Sequence, residues 1–165
     1  MRQSRSVLYS MAFANDRVYT MSKKAFLILH GKQAANQAVR DAVMNWRDQG
    51  HELAVRVTWE GGDAERYVDE ALSLGYRHID TAQMYGNEAE VGDGITSSGI
   101  PRREIFLTTK IWHDQLHASD LINSLHDSLA RLKTDHVDLA LIHWPSPGDE
   151  VPMKEYLGAL RDAQR

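Results

Sequence analysis

Four polar side chains have the types and spacing of a proton-transfer site. Asp80, Lys110 and His143 stand at the predicted carboxyl ends of three successive strands, and Tyr85 lies in the loop after the first of them. Carboxyl ends of parallel strands meet at one edge of a sheet, so we expect these side chains to lie close together. A phenol beside an ammonium that a carboxylate holds in place is a suitable general acid, and the ammonium is expected to lower the pKa of Tyr85 towards neutrality. His143 can donate to a carbonyl oxygen and stabilise developing negative charge.

Each of these residues also has an ordinary structural explanation. Asp80 can cap the following helix, and Lys110 can be a solvated strand end. His143 can be a hydrogen-bonded core histidine, and Tyr85 a loop aromatic. Because all four converge on one predicted face, the catalytic interpretation is favoured over four separate coincidences.

Five strand–helix units must position these residues. Strands are predicted at residues 25–30, 53–58, 78–81, 104–109 and 137–143, and apolar residues recur at helical spacing after each one. Strict alternation of this kind predicts an α/β fold with a parallel sheet and right-handed crossover helices. Five units suit a flavodoxin-like doubly wound sheet, and they are also five eighths of a (β/α)8 barrel. Periodicity alone leaves both arrangements open.

Composition excludes several classes of function. The 165 residues include no cysteine, which rules out thiol catalysis, Cys-ligated zinc, iron–sulfur clusters and disulfides. The net charge of −4 argues against nucleic acid or anionic membranes as partners. No apolar run approaches the ~18 residues of a membrane span. His113 and His117 have the spacing of a zinc-binding pair, but Asp114 stands where a general-base Glu belongs, so no metal is expected. We expect a cytoplasmic protein whose residues 1–20 form a disordered leader.

Three motifs in the second half of the chain resemble the conserved stretches of one enzyme family. They are GYRHIDTA at residues 75–82, followed by Glu88, Val91 and Gly92, then LTTKIW at 107–112 and DLALIHWP at 138–145. Together they look like the signatures of the aldo-keto reductases. The resemblance runs without a gap over residues 71–165, and it looks closest to the 2,5-diketo-D-gluconate reductase branch.

This resemblance implies NADPH-dependent reduction of a small carbonyl substrate, such as a diketo sugar acid or an aldehyde. It assigns Tyr85 as the proton donor, Asp80 and Lys110 as the pair that tunes it, and His143 as the donor that orients the carbonyl. In that family NADPH supplies the hydride, and the protein supplies binding, orientation and electrostatics.

The same resemblance places Trp112 and Trp144 at the substrate pocket; ordinary packing at the strand ends is the alternative for both. Family barrels have eight units, and the residues that hold the phosphate and adenine end of the cofactor follow the last strands. We therefore expect these 165 residues to lack most of the cofactor site and to be a weak or inactive enzyme.

The first half of the chain is similar to a second family. LILHGK at residues 27–32 and VRVTWEGGDA at 55–64 resemble the start of the YegS-like lipid kinases of the diacylglycerol kinase catalytic family, over residues 25–74. The resemblance implies an ATP site at Gly31, Lys32 and Thr58. It ends before that family's glycine-rich GGDGT phosphate loop, so an ATP-dependent lipid kinase is the weaker enzymatic alternative.

The helix before Gly75 suits both families, so the chain has the organisation of a fusion. We expect a lipid-kinase-like βαβα fragment at residues 21–74 and an aldo-keto-reductase-like fragment at 75–165, sharing one sheet. A non-enzymatic fusion or designed chimera is the third functional alternative. Open sheet edges in such a protein predict a homodimer.

Overall fold

Strands and helices alternate throughout the part of the chain that the structure describes. The computed structural model describes residues 37–50, 52–57 and 63–164. In chain order its elements are α1 (Gln37–Asp48), β1 (Ala54–Arg56), α2 (Ala64–Ser73), β2 (His78–Asp80), α3 (Glu88–Ser97), β3 (Phe106–Ile111), α4 (Ala118–Arg131), β4 (Leu139–Ile142) and α5 (Met153–Ala163). Short 3-10 turns occupy four of the loops, at Gln83–Tyr85, Arg102–Glu104, His113–Gln115 and Pro147–Asp149. The predicted leader at 1–20 and the predicted strand at 25–30 lie outside the described residues.

The four described strands form one parallel sheet in the order β1-β2-β3-β4. Each strand therefore pairs with the next one along the chain, as in the wall of a barrel. A flavodoxin-like sheet of five strands has the order 2-1-3-4-5, which would separate the strand at 54–56 from the strand at 78–80. The doubly wound alternative is wrong for this reason, and the order is that of a (β/α)8 barrel.

The boundaries of all four described strands differ from those predicted. β1 and β2 are shorter than the predicted 53–58 and 78–81, and the differences in β3 and β4 change where the site residues stand. β3 covers Phe106–Ile111 instead of 104–109, because Arg102–Glu104 form a 3-10 turn after Pro101. Lys110 consequently lies within the strand, with its backbone paired to Leu141 of β4. β4 covers only Leu139–Ile142, so His143 directly follows it.

The helices cover the sheet through apolar faces. α4 buries Leu121, Leu125 and Ser128, which recur three to four residues apart, and it joins α5 around Tyr156. α3 lies between α2 and α4 and depends on two glycines. A Cβ atom at Gly94 would come within 2.5 Å of the Glu65 carbonyl oxygen, and one at Gly92 within 2.7 Å of the Leu132 carbonyl carbon. Only glycine permits this close packing of α3.

The described residues show neither a membrane-spanning helix nor a metal-binding cluster. No helix within 37–50, 52–57 and 63–164 is both long and apolar enough to cross a membrane. The same ranges contain no group of three His, Cys, Asp or Glu side chains placed to hold a metal ion. The histidine pair singled out in the sequence flanks a turn, where His117 Nδ1 lies 3.3 Å from Glu155 Oε1.

Candidate active site

A part-buried ion pair links β2 to β3 at the carboxyl edge of the sheet. Asp80 is the last residue of β2, and Lys110 is the fifth residue of β3. The Lys110 ammonium donates to Asp80 Oδ1 and, at 2.8 Å, to the carbonyl oxygen of Thr81. Burial lowers the pKa of Lys110, and the Asp80 carboxylate acts against that shift. The pair thus holds one ammonium at a fixed place among the strand ends.

Tyr85 lies beside this ammonium, at the end of the 3-10 turn that follows β2. The Lys110 Nζ atom is 5.3 Å from the centroid of the Tyr85 ring. Gly86, with φ of 65°, allows the chain to turn directly after the tyrosine. Burial raises the pKa of the Tyr85 phenol, the Arg56 charge lowers it, and the Asp80 charge raises it. The expected lowering of this pKa is therefore wrong, because removing the phenol from water outweighs the effect of the Arg56 charge.

His143 brings a ring nitrogen to the same place from the end of β4. Its ring centroid is 5.6 Å from that of Tyr85, with the planes at 88°. Its Nδ1 atom is buried and has no hydrogen-bond partner among the residues that the structure describes. Burial lowers the pKa of His143, and the Lys110 charge lowers it further. His143 is consequently neutral near pH 7 and carries one N–H that it can donate.

The two predicted substrate-pocket tryptophans have different surroundings. The Trp112 ring packs edge to face against His143, with 5.2 Å between centroids. The Trp144 side chain is 59% exposed. The structure thus brings Trp112 to the same group as Tyr85 and His143, and it leaves Trp144 at the surface. The predicted nucleotide-binding residues Gly31, Lys32 and Thr58 lie outside the described residues.

Arg56 belongs to this group and was missed in the sequence. Its backbone pairs with Asp80 across β1 and β2, and its Nε atom lies 3.5 Å from Asp80 Oδ2. The predicted strand at 53–58 put Arg56 in the middle of a strand, whereas β1 ends at this residue. Functional residues of parallel α/β folds lie at the carboxyl ends of strands. The correct end of β1 would therefore have identified Arg56 as a candidate site residue.

Gln83 is a second missed residue, and it connects three elements. Its Oε1 atom accepts a hydrogen bond of 2.9 Å from the Trp112 backbone N–H. Its Nε2 atom lies 3.1 Å from three oxygen atoms of α4: the Ser124 carbonyl, the Ser124 hydroxyl and the Ser128 hydroxyl. These bonds fix the loops that carry Tyr85 and Trp112 against α4. No local sequence pattern marks this role, since every partner is at least 29 residues away in the chain.

Replacing Gln83 by leucine is expected to destabilise the protein by about 1–3 kcal/mol, because the Trp112 N–H and the α4 hydroxyls lose a part-buried partner. Urea unfolding measures the loss, and hydrogen exchange at the Trp112 amide shows whether it is local. Gln49→Leu is the matched control, since the exposed Gln49 side chain, directly after α1, bonds to Asn45 and to no other side chain among the described residues. Equal losses in the two variants would contradict the bridging role.

The sequence profile of the Aldo/keto reductase family matches residues 58–165. That range is about two thirds of the chain. The chain belongs to this family. This match begins at residue 58, inside the segment 25–74 that resembles the lipid kinases.

Individual relatives agree with the family match. Methylglyoxal reductase DkgB of Salmonella typhi is 56% identical over 98 residues, which are 59% of this chain and 37% of the relative. Among solved structures, a candidate 2,5-diketo-D-gluconic acid reductase B is 53% identical with a TM-score of 0.59, covering 62% of this chain and 37% of that one. The chain thus spans little more than a third of the length of these reductases.

One relative comes from the second family. The protein named "Probable lipid kinase YegS-like" of Alcanivorax borkumensis is 58% identical over 85 residues, which are 52% of this chain and 28% of the relative. The chain therefore has relatives in two families, which gives weak support to a fusion.

Proposed function

We propose that this protein reduces a small carbonyl compound with NADPH, with Tyr85 as the proton donor. The observation that carries the proposal is the convergence of the Asp80–Lys110 ion pair, the Tyr85 phenol and the His143 ring at one edge of the sheet. Family membership and the methylglyoxal reductase relative support it.

The donor set fits the reacting end of the cofactor and a carbonyl group. Carbonyl reduction needs a proton donor and a group that polarises the oxygen, and Tyr85 O–H and the His143 ring N–H are two such donors with ring centroids 5.6 Å apart. NADPH, when bound, supplies the hydride. The resemblance places the binding of the phosphate and adenine end after later strands of a complete barrel.

The proton follows a defined route in this proposal. The raised pKa keeps the Tyr85 phenol protonated at neutral pH, so that it is ready to donate. As the carbonyl oxygen gains negative charge it takes the phenol proton, while the His143 N–H donates a hydrogen bond to the same oxygen. The Lys110 ammonium, 5.3 Å from the ring centroid, stabilises the phenolate that remains. Trp112 borders the substrate beside His143.

The direct test is NADPH oxidation by the purified chain, with methylglyoxal and 2,5-diketo-D-gluconate as substrates. Turnover with either compound supports the proposal, and NADPH fluorescence measures cofactor binding independently. Absence of turnover together with absence of NADPH binding would overturn it.

A second candidate function rests on the lipid-kinase relative. By resemblance, Gly31, Lys32 and Thr58 would contact ATP. Gly61, Gly62 and Asp63 are followed by Ala64 and Glu65, so they do not complete the GGDGT phosphate loop. Transfer of labelled phosphate from ATP to diacylglycerol, lost in Lys32→Ala, would support this candidate; no transfer by the wild-type chain would exclude it.

We also propose that the chain is a fusion of a fragment at 21–74 with one at 75–165. The lipid-kinase relative gives weak support to a fusion, whereas the reductase family match already begins at residue 58. All four residues of β4 are only half-buried, and Met153 and Leu157 of α5 expose large apolar side chains. A second copy covering these groups would give the homodimer that the open edges predict. Sedimentation of the chain as a monomer at micromolar concentration would contradict it.

A further inference from the structure

Two cations share one carboxylate at the proposed active site. Asp80 Oδ1 accepts from Lys110, and Asp80 Oδ2 lies 3.5 Å from Arg56 Nε. Because Tyr85 and His143 are both neutral near pH 7, the group carries a net charge of one positive unit. A site with an excess positive charge beside its proton donor is suited to an anionic ligand.

Arg56 retains hydrogen-bonding capacity after this contact. Its Nε atom is buried and has no hydrogen-bond partner within the part of the chain that is described, since 3.5 Å is too long for a good hydrogen bond to Asp80. A guanidinium has five N–H donors, and the Arg56 side chain is 30% exposed. Since the Nε atom is buried, a ligand oxygen would have to bind the remaining guanidinium N–H groups through the exposed part of the side chain.

The charge of Arg56 acts on the groups that would carry the reaction. Burial raises the pKa of Tyr85, and Arg56 opposes that shift. Burial lowers the pKa of His143, and Lys110 and then Arg56 add to the shift, while Asp80 opposes it. Burial also lowers the pKa of Lys110, and the Arg56 charge adds to that effect. The geometry agrees with this: Arg56 Nε lies 3.5 Å from the carboxylate that accepts from Lys110, and Lys110 Nζ lies 5.3 Å from the Tyr85 ring centroid.

We propose that Arg56 is a specificity-determining residue that binds the carboxylate of an oxo acid substrate. The inference rests on the proposed carbonyl reduction and adds which carbonyl compounds the site prefers. A planar guanidinium can hold both oxygens of a carboxylate, which orients the substrate as well as attracting it. Neutral aldehydes and ketones lack this contact and react less well.

A matched substrate pair tests the preference. 4-Carboxybenzaldehyde and its methyl ester present the same aldehyde, but only the first carries a carboxylate. For the wild-type chain we expect a higher kcat/KM for the acid, and in Arg56→Met we expect the acid-to-ester ratio to fall about 10- to 100-fold, the value of a hydrogen bond to a charged group. Arg56→Lys should restore part of the ratio, because lysine keeps the charge without the planar pair of donors.

Arg66→Met is the control, since Arg66 is an exposed arginine of α2 that pairs with Asp63 and Glu70. It should leave the ratio unchanged. Thermal unfolding shows which variants fold, and if Arg56→Met does not, Arg56→Gln replaces it. An unchanged ratio in a folded, uncharged Arg56 variant overturns the inference and leaves the proposed function intact.

Calorimetric binding of 4-carboxybenzaldehyde, with and without NADPH, separates the two proposals. Binding by the wild-type chain that is lost in the uncharged Arg56 variant, without turnover of either substrate, would support the anion site and contradict carbonyl reduction. Absence of 4-carboxybenzaldehyde binding would overturn the anion site, and carbonyl reduction would be overturned only if methylglyoxal and 2,5-diketo-D-gluconate also gave no turnover and NADPH did not bind.

Discussion

Replacing Tyr85 by phenylalanine is expected to lower kcat for carbonyl reduction by about 10²–10⁴-fold, the range for loss of a positioned general acid. The phenol is the group that would donate the proton, and its raised pKa keeps it protonated at neutral pH. Phenylalanine preserves the ring that packs against His143, so KM and stability should change little. Steady-state NADPH oxidation measures the effect.

Tyr67→Phe is the matched control for this experiment. Tyr67 lies on α2, where its ring contacts the Arg66 guanidinium, and its hydroxyl has no role in the proposed proton route. We expect its kcat to equal that of the wild-type chain. If Tyr85→Phe kept more than about a tenth of the wild-type kcat, another group would have to be the proton donor.

Replacing Arg131 by methionine is expected to destabilise the protein by about 3 kcal/mol, a large fraction of the stability of an ordinary domain. Glu88, at the start of α3, has a side chain that is only 1% exposed. Its Oε2 atom accepts from Arg131 Nε at 2.9 Å and Nη2 at 2.7 Å, and its Oε1 atom accepts from the Thr109 hydroxyl at 2.6 Å. Methionine would leave a buried carboxylate without its cation. Arg131 is itself 44% exposed, so water can partly replace it, which places the effect at the lower end of the range for such pairs.

Urea unfolding measures this loss, and two further variants interpret it. In Glu88→Gln combined with Arg131→Met the buried charge is gone, so the double variant should be more stable than Arg131→Met alone. Arg103→Met is the surface control, because Arg103 lies 3.9 Å from Glu104 and is highly exposed. If Arg131→Met cost no more than Arg103→Met, Glu88 would not depend on its partner.

The spacing of residue types along the chain was sufficient to predict the order of strands and helices and most residues of the candidate site. Apolar spacing predicts the alternation of strands and helices, and the placement of functional residues at strand ends groups Asp80, Lys110 and His143. Their placement beside Tyr85 needs only that successive strands be parallel and adjacent. The structure shows both conditions.

Several features of the site depended on interactions that no local pattern contains. The order of the sheet excludes the doubly wound fold only because β1 pairs directly with β2. Because β1 ends at Arg56, this residue lies beside the candidate site. Gln83 hydrogen-bonds both the Trp112 backbone and α4. The pKa of Tyr85 rises because surrounding chain removes the phenol from water, whereas the sequence suggested only the opposing effect of a nearby cation.

The sequence by itself determined the alternation of strands and helices, the placement of Asp80, Lys110 and His143 near strand ends, and the resemblance to the aldo-keto reductases. These properties follow from side-chain periodicity and residue identity, which are local. Tertiary structure alone decided which strands pair, how deeply each group is buried, and that Arg56 joins Asp80 beside Lys110. Pairing and burial depend on residues far apart in the chain, and burial sets the electrostatic free energy of each charge.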